Sequence, residues 1–204
     1  FDRVYRRLGV RFDVTLGESF YNDKLPETVE ASLRAGVASE SDGAIIVKFG
    51  PEDGKALNDT VLVIRKNDGA FLYGTTDLAT LRHRRETWSP DRIIYVTDKR
   101  QQLHFRQVFR AWRRQEGEAG SELVHVWFGT LNLPGGAMSS RSGNIIRLAD
   151  FLDEGVARAR AVVDEKSPHL PEEQRAAVAE AVGAGPVLVR DGRVAVATEA
   201  EVFF

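Results

Sequence analysis

The sequence predicts an α/β protein with a Rossmann-like parallel sheet and a small β insertion, and two observations carry this prediction. Residues 92–97 are a continuous apolar run, which is typical of a strand buried on both faces of a parallel sheet. A helix with a single apolar stripe follows at about 103–116, and a second apolar strand comes next at 123–127. This strand–helix–strand order favours a right-handed crossover between parallel strands.

The segment before this unit predicts further strands. Residues 44–49 and 61–64 are compact and rich in β-branched side chains, and we expect a β insertion over about 37–69 at the edge of the sheet. The turn at 66–69 contains Asn, Asp and Gly, which tolerate positive φ, and it predicts a hairpin into a third strand at 70–73. We expect that third strand to join the parallel sheet and to lead into a helix at about 77–87.

Helix start and stop signals predict helices towards both ends of the chain. Pro26 suits the first turn of a helix that ends before Gly36. Asp150 is a candidate cap for a later helix, and another helix begins near residue 171 and ends at Gly183. We predict that residues 1–155 form a Rossmann-like unit. We predict that residues 156–204 form a helical junction.

Composition excludes several classes of protein. The chain has 204 residues, of which 43% are hydrophobic and 28% charged, and its net charge is −2, so bulk electrostatics recruit neither nucleic acid nor an acidic membrane. It has no cysteine, which excludes disulfides and thiolate metal sites. No apolar run approaches the ~20 residues that cross a membrane. Because the chain begins with Phe1 in mid-pattern, we expect it to be a fragment of a longer protein.

Ligands of open α/β sheets bind beyond the carboxyl ends of the strands, so the first polar turn of interest is 73–77. A carboxylate at Asp77 would meet a cationic ligand there. Alternatively, Thr76 or Asp77 caps the following helix, and the two roles are compatible.

The second polar turn lies after the strand at 92–97. Gln101 is placed to hydrogen-bond a ligand, and His104 and Gln107 share the first turn of the next helix, near its positive end. For Gln102 and Arg106 we favour ordinary first-turn polarity over a ligand contact.

The third polar segment, 135–144, combines glycines, hydroxyls and one arginine, which suit contact with phosphate. The sequence contains neither a Gly-x-Gly-x-x-Gly motif nor a P-loop, and no cluster with the spacing of metal ligands. We expect His83 to lie on a solvated helix face and His125 to be a hydrogen-bonded core histidine.

Taken together, these motifs resemble arginyl-tRNA synthetase, a class I aminoacyl-tRNA synthetase, over roughly residues 1–183. The Tyr-x-x-x-Asp motif at Tyr73 and Asp77, followed by Arg100-Gln101, is specific to that family, whereas the Ser/Arg loop alone is not. The matching segments are, in chain order, 12–13, 17–21, 41–44, 65–69, 73–80, 94–98, 100–104, 128–129, 138–143 and 148–154.

The resemblance implies a fold, a reaction and a set of roles. The fold is the second half of a class I synthetase catalytic domain. Residues 1–155 would be the C-terminal part of the Rossmann catalytic domain, and residues 156–204 the helical junction towards an anticodon-binding domain. The reaction ligates arginine to its tRNA through an arginyl-adenylate, with ATP and Mg²⁺ as the substrate complex. The resemblance implies no metal bound by the protein itself. It also implies a cytoplasmic location without a membrane partner. The tRNA would bind mainly through regions outside this chain. Tyr73, Asp77 and Gln101 would bind arginine. The loop at 137–143 would be the KMSKS-like element. The implied catalytic residues are Ser139, Ser140 and Arg141, and the implied ATP contacts are His104, Gln107, Phe128 and Met138.

The chain departs from the family pattern in three places. It has no HIGH-type signature, which belongs before Phe1, and no lysine between residues 137 and 143. Residues 186–204 do not follow the family's junction to a helical anticodon-binding domain. We therefore expect the chain alone to be inactive. An alternative is a truncated, non-catalytic paralogue that serves as a binding module.

Overall fold

A computed structural model describes residues 2–117, 120–129, 132–133, 136–137 and 147–184, the two dipeptides by backbone alone. Contacts divide the chain into two units: Thr15–Trp127, and Phe1–Val14 with Phe128–Phe204.

The predicted βαβ element is confirmed. Strands β4 (Arg92–Asp98) and β5 (Glu122–Phe128) form one sheet and are connected by α4 (Gln102–Glu116). Arg92 contacts Glu122 at 2.6 Å where both strands begin. Farther along, Thr97 Oγ1 and His125 Nε2 lie 2.8 Å apart. Both contacts therefore occur in the same order along the two strands, so the strands run parallel, as the fold class requires.

The β insertion is also confirmed, as an antiparallel sheet of order β1–β2–β3. Its strands are β1 (Ser39–Ser41), β2 (Ala44–Lys48) and β3 (Val61–Arg65). Helix α2 (Leu25–Arg34) precedes it and has Pro26 in its first turn, as predicted. Gly36 beyond the helix end has a φ of +67°, which favours glycine.

The predicted parallel strand at 70–73 is wrong. The turn before it does form, because the Lys66 N–H donates to the Ala70 carbonyl at 2.8 Å, but only an isolated antiparallel bridge, between Phe71 and Arg65, follows. Tyr73 already begins α3 (Tyr73–Trp88), four residues earlier than predicted. The backbone therefore turns into a helix directly after the hairpin.

One hydrophobic core joins the elements of the Thr15–Trp127 unit. Val47 of β2, Ile64 of β3, Leu81 of α3 and Val108 of α4 are all fully buried in it. The apolar stripe predicted for α4 is thus the face that packs inward. The opposite face of β4 differs, since Ile94 and Val96 are each more than half exposed.

The other unit contains α1 (Asp2–Arg7), a two-residue antiparallel pair of β6 (Asn132–Leu133) with β7 (Gly136–Ala137), α5 (Leu148–Lys166) and α6 (Glu172–Ala184). Asp150 is not the cap of α5, because the helix begins at Leu148 and Asp150 instead pairs with Arg147 at 2.9 Å. The domain boundary predicted at residue 155 falls inside α5 and stays a prediction.

Charged side chains cross-link α5 and α6. Arg160 contacts both Asp164 and Glu172, and Arg175 contacts the same two carboxylates, at distances of 2.5–2.8 Å. The hydrogen bonds from Arg160 hold the pKa values of Asp164 and Glu172 below their usual range. Arg7 of α1 likewise contacts one carboxylate on each of these helices.

Candidate functional site

The first turn of α3 rests directly on β3. Thr75 is fully buried, and its Oγ1 donates a hydrogen bond to the carbonyl of Ile64. Beside it, a Cβ added to Gly74 would lie 2.8 Å from Leu62 Cδ1. Because these two residues have no room to move outward, they fix both the position and the rotation of the helix start.

Tyr73 and Asp77 lie on the other side of this turn. They are four residues apart in one helix and therefore share a face, away from the buried Gly74 and Thr75. Tyr73 is 70% exposed, and the Asp77 side chain is about one quarter exposed. The capping alternative for Thr76 and Asp77 is wrong, since Leu72 is the N-cap of α3 and both residues lie inside the helix.

The first turn of α4 begins just beyond the carboxyl end of β4, as predicted. Asp98 ends the strand and accepts hydrogen bonds from the backbone N–H and the guanidinium of Arg100. One 3₁₀ turn, Lys99–Gln101, then leads into the helix. Gln101 is exposed there, and His104 is the third residue of α4.

The structure brings together two of the predicted site residues, Asp77 and His104. Nε2 of His104 lies 2.6 Å from Oδ2 of Asp77, and each side chain is about one quarter exposed. A carboxylate only accepts hydrogen bonds, so His104 Nε2 is the donor. The contact joins the N-terminal parts of α3 and α4.

An aromatic layer fixes α4 behind His104. The ring of Phe105 is buried 4.8 Å from that of Tyr95 and 4.7 Å from that of His125. His125 has a hydrogen-bond partner, Thr97, as predicted, but it is only partly buried rather than a core residue. Burial lowers its pKa. Because His104 directly precedes Phe105 in α4, this packing also restricts the position of His104.

The other implied ATP contacts have different surroundings. Gln107 is buried, and its Nε2 donates to the Val61 carbonyl at 3.3 Å. Phe128 ends β5 and is 40% exposed. Met138, Ser139, Ser140 and Arg141 lie outside the described residues. All of these roles, like those of Tyr73, Asp77 and Gln101, stay predictions.

His83 does not lie on a plain solvated face. Its ring contacts those of Phe20, Tyr21 and Trp88, with centroids 5.0–5.8 Å apart. The charged residues next to His83 in the sequence gave no indication of these ring contacts. The aromatic partners come from a distant segment and from the end of α3. Among the described residues, no group of three or more acidic or histidine side chains could hold a metal ion.

A groove of about 650 Å³ lies at the far ends of α3 and α4, away from Asp77 and His104. Its arginines are balanced by carboxylates, since Arg34 contacts Glu27 at 2.6 Å and Arg85 contacts Glu116 at 3.0 Å. The groove therefore has no excess of positive charge that would attract an anion.

A parallel βαβ unit with polar side chains beyond the carboxyl end of a strand is typical of a ligand-binding α/β domain. Comparison with known families identifies the family to which this domain belongs. The chain belongs to the family of class I tRNA synthetases (R), catalytic domain, whose model matches residues 1–199.

Individual relatives agree with this assignment. The chain is 45% identical over 193 residues to the arginine–tRNA ligase of Chloroflexus aggregans, covering 93% of this chain and 32% of that protein. It is 39% identical over 196 residues to the enzyme of Fusobacterium nucleatum, covering 94% and 32%. The chain thus spans about a third of the length of the curated relatives it matches.

The fold is similar to that of a solved relative. The structure of the arginyl-tRNA synthetase from Plasmodium falciparum superimposes with a TM-score of 0.72 at 22% identity, over 90% of this chain and 30% of that one. In the part of the chain that the structure describes, no helix has the length and apolar character needed to cross a membrane.

Sequence reasoning missed the partnership of Asp77 and His104. It assigned both residues to a site, but it placed them with different substrates, arginine and ATP. No signal in the sequence joins them, because 27 residues separate them and only the packing of α3 against α4 brings their side chains into contact.

Proposed function

We propose that the protein to which this chain belongs ligates arginine to its tRNA in an ATP-dependent reaction through an arginyl-adenylate. In this proposal the chain carries one half of the site, the half that binds arginine and contains the KMSKS-like loop. The observation that supports it most is the Asp77 carboxylate, which lies on the solvent side of a helix that its neighbours hold in place, within a chain 45% identical to an arginine–tRNA ligase.

The chemistry of arginine fits this carboxylate. A guanidinium is planar and presents parallel N–H groups, so a carboxylate can bind it with two hydrogen bonds, which a lysine ammonium cannot match. We propose that Asp77 makes this bidentate contact and that Tyr73 and Gln101 complete the pocket. The phosphates of Mg-ATP would meet the loop with Ser139, Ser140 and Arg141, and ATP would contact Gln107, Phe128 and Met138. The resemblance also implies an ATP contact for His104, whose Nε2 lies against Asp77.

Most of the catalytic effect would come from positioning and charge stabilisation. The arginine carboxylate attacks the α-phosphate of ATP, and pyrophosphate leaves. The arginyl group of the resulting adenylate then passes to a hydroxyl of the tRNA, and AMP leaves. The protein forms no covalent bond in this scheme. Residues that hold arginine therefore act mainly on its binding.

Steady-state aminoacylation by the complete gene product tests the proposal. Asp77→Ala should raise the arginine KM strongly, by 100-fold in order of magnitude, since a bidentate charged contact is lost, and should leave the ATP KM nearly unchanged. Asp23→Ala is the matched control, because it removes an exposed carboxylate of the same unit. Equal losses for both substrates would refute the arginine role. Failure of the unmodified gene product to charge any tRNA would favour the non-catalytic binding module.

A further inference from the structure

The contact between His104 and Asp77 carries one inference beyond the proposed function. The distance from Nε2 to Oδ2 is 2.6 Å, in the short range of hydrogen bonds to charged groups. Both side chains keep about a quarter of their surface accessible, so a ligand can still reach the carboxylate. His104 therefore contacts Asp77 without enclosing it.

Both partners are anchored from behind by different elements. On α3, Gly74 and Thr75 are held against β3, as described above. On α4, Phe105 is packed between the rings of Tyr95 and His125. The hydrogen bond thus connects two fixed backbones.

An aspartate needs such a partner if its carboxylate is to keep one orientation. The terminal torsion of Asp is broad, so a partly exposed carboxylate rotates freely unless a hydrogen bond holds it. Fixing it before the ligand arrives removes an ordering cost from binding. A bond to Oδ2 uses one acceptor position and leaves Oδ1 and a second lone pair on Oδ2 for two guanidinium N–H groups.

We propose that His104 is a positioning residue for arginine: its Nε2–H holds the Asp77 carboxylate in the orientation that receives the guanidinium. This rests on the proposed function, because it takes Asp77 as the arginine-binding carboxylate. It gives His104 a role on the arginine side of the site, whereas the family resemblance implies an ATP contact.

Equilibrium dialysis of radiolabelled arginine, and separately of ATP, against the complete gene product tests this assignment. The variants are His104→Ala, His104→Gln, Asp77→Asn and the double variant Asp77→Asn/His104→Ala. Glutamine can place an amide N–H near the position of Nε2, so it tests for the donor itself. Thermal unfolding of each variant checks that the fold is intact.

We expect His104→Ala to raise the arginine Kd about tenfold, the scale of a lost hydrogen bond to a charged group, with the ATP Kd within about twofold of the unmodified value. His104→Gln should recover most of the arginine affinity. In the Asp77→Asn background, His104→Ala should add little, because residues that act through one another are not additive.

The outcomes separate this assignment from the proposed function. If Asp77→Asn leaves arginine binding unchanged, the proposed role of Asp77 fails, and the positioning role fails with it. If Asp77→Asn weakens arginine binding but His104→Ala affects only ATP, or multiplies the loss in the double variant, the positioning role is overturned and the proposed function stands. A His104→Gln variant as weak as His104→Ala would also overturn it.

Discussion

Arg114 of α4 and Asp53, in the 3₁₀ turn after β2, form an ion pair in which the Asp53 side chain is fully buried. Arg110 contacts the same carboxylate at 2.7 Å, and the Gly50 N–H donates to it at 2.8 Å. Arg114 also donates to the Lys48 carbonyl at 2.8 Å. One carboxylate therefore connects the β insertion to the helix that carries His104.

We expect Asp53→Asn to lower the free energy of unfolding by about 2 kcal/mol, because it weakens charged hydrogen bonds to a buried acceptor. Urea unfolding of the 204-residue chain measures this. Asp59→Asn, an exposed change in the same loop, is the control and should be nearly neutral. A loss no greater than that of the control would show that the pair does not hold the insertion in place.

The contribution of Asp53 should depend on pH in a defined direction. Burial raises its pKa, but the hydrogen bonds from Arg110, Gly50 and Arg114 outweigh burial and hold the pKa below the usual value. Its stabilising effect is therefore fully present above the unfolded-state pKa, near 4, and is lost as pH falls through the folded value. The difference between unmodified protein and Asp53→Asn should shrink on acidification below about pH 4. A difference that grows instead would contradict this cause.

Gly74→Ala should weaken arginine binding although the added methyl group faces Leu62 and not the ligand. The new methyl would lie 2.8 Å from Leu62 Cδ1 and 3.1 Å from its Cγ, and because Leu62 is itself buried, we expect the start of α3 to shift away from β3. A shift of Asp77 by a fraction of an ångström should raise the arginine Kd about fivefold, since positioned contacts are sensitive to small displacements. Dialysis against the complete gene product measures it. The matched control is Gly129→Ala, where a Cβ meets nothing within 4 Å. An unchanged Kd would mean that Leu62 absorbs the methyl.

The sequence predicted the βαβ element closely and the start of α3 poorly. Strands 92–97 and 123–127 were each predicted to within one residue at either end, because a buried parallel strand needs a continuous apolar run. The start of α3 has no such local signal. Leu72 caps the helix without a side-chain hydrogen bond, and Ala70-Phe71-Leu72-Tyr73 has the composition of a strand.

Tertiary contacts determine the features that the sequence could not predict. Strand β1, Ser-Glu-Ser, has no β-forming composition, and it is a strand because it pairs with Ala44–Ile46 of β2. The burial of Thr75 depends on the carbonyl of Ile64, eleven residues away. The same holds for the candidate site. Motifs in the sequence indicated which residues to propose for it, but they did not predict the contact of Asp77 with His104.

Gly183→Ala should destabilise the packing of α5 against α6. A Cβ at Gly183 would lie 2.4 Å from the Cα of Val156, and one at Gly155 would lie 2.7 Å from the Gly183 carbonyl, so neither can be accommodated by a side-chain movement. Alanine ordinarily favours a helix over glycine by about 1 kcal/mol. A fall in the thermal midpoint of the 204-residue chain, despite that gain, would reveal the steric cost, and a rise would show that the helices separate easily. Gly129→Ala again serves as the control.

The 204-residue chain on its own should not activate arginine. Class I activation stabilises the pentavalent α-phosphate from two sides. The KMSKS-like role proposed for residues 138–143 would supply one cation, Arg141, and the 204 residues contain no HIGH-type signature. Losing a single preorganised donor typically costs about 10²–10³ in rate, so the absence of a whole element should abolish the reaction.

Arginine-dependent exchange between ATP and pyrophosphate, with tRNA present, measures this activity. We expect none from the purified chain, with the complete arginine–tRNA ligase of Chloroflexus aggregans as the positive control. Analytical ultracentrifugation of the same preparation should detect self-association, because Ile94 and Val96 expose an apolar face of β4. Replacing both with threonine, which keeps the strand propensity, should reduce that association. Exchange by the unmodified chain above the rate without arginine would show that these 204 residues already form a complete site, and the expectation of a partial one would be wrong.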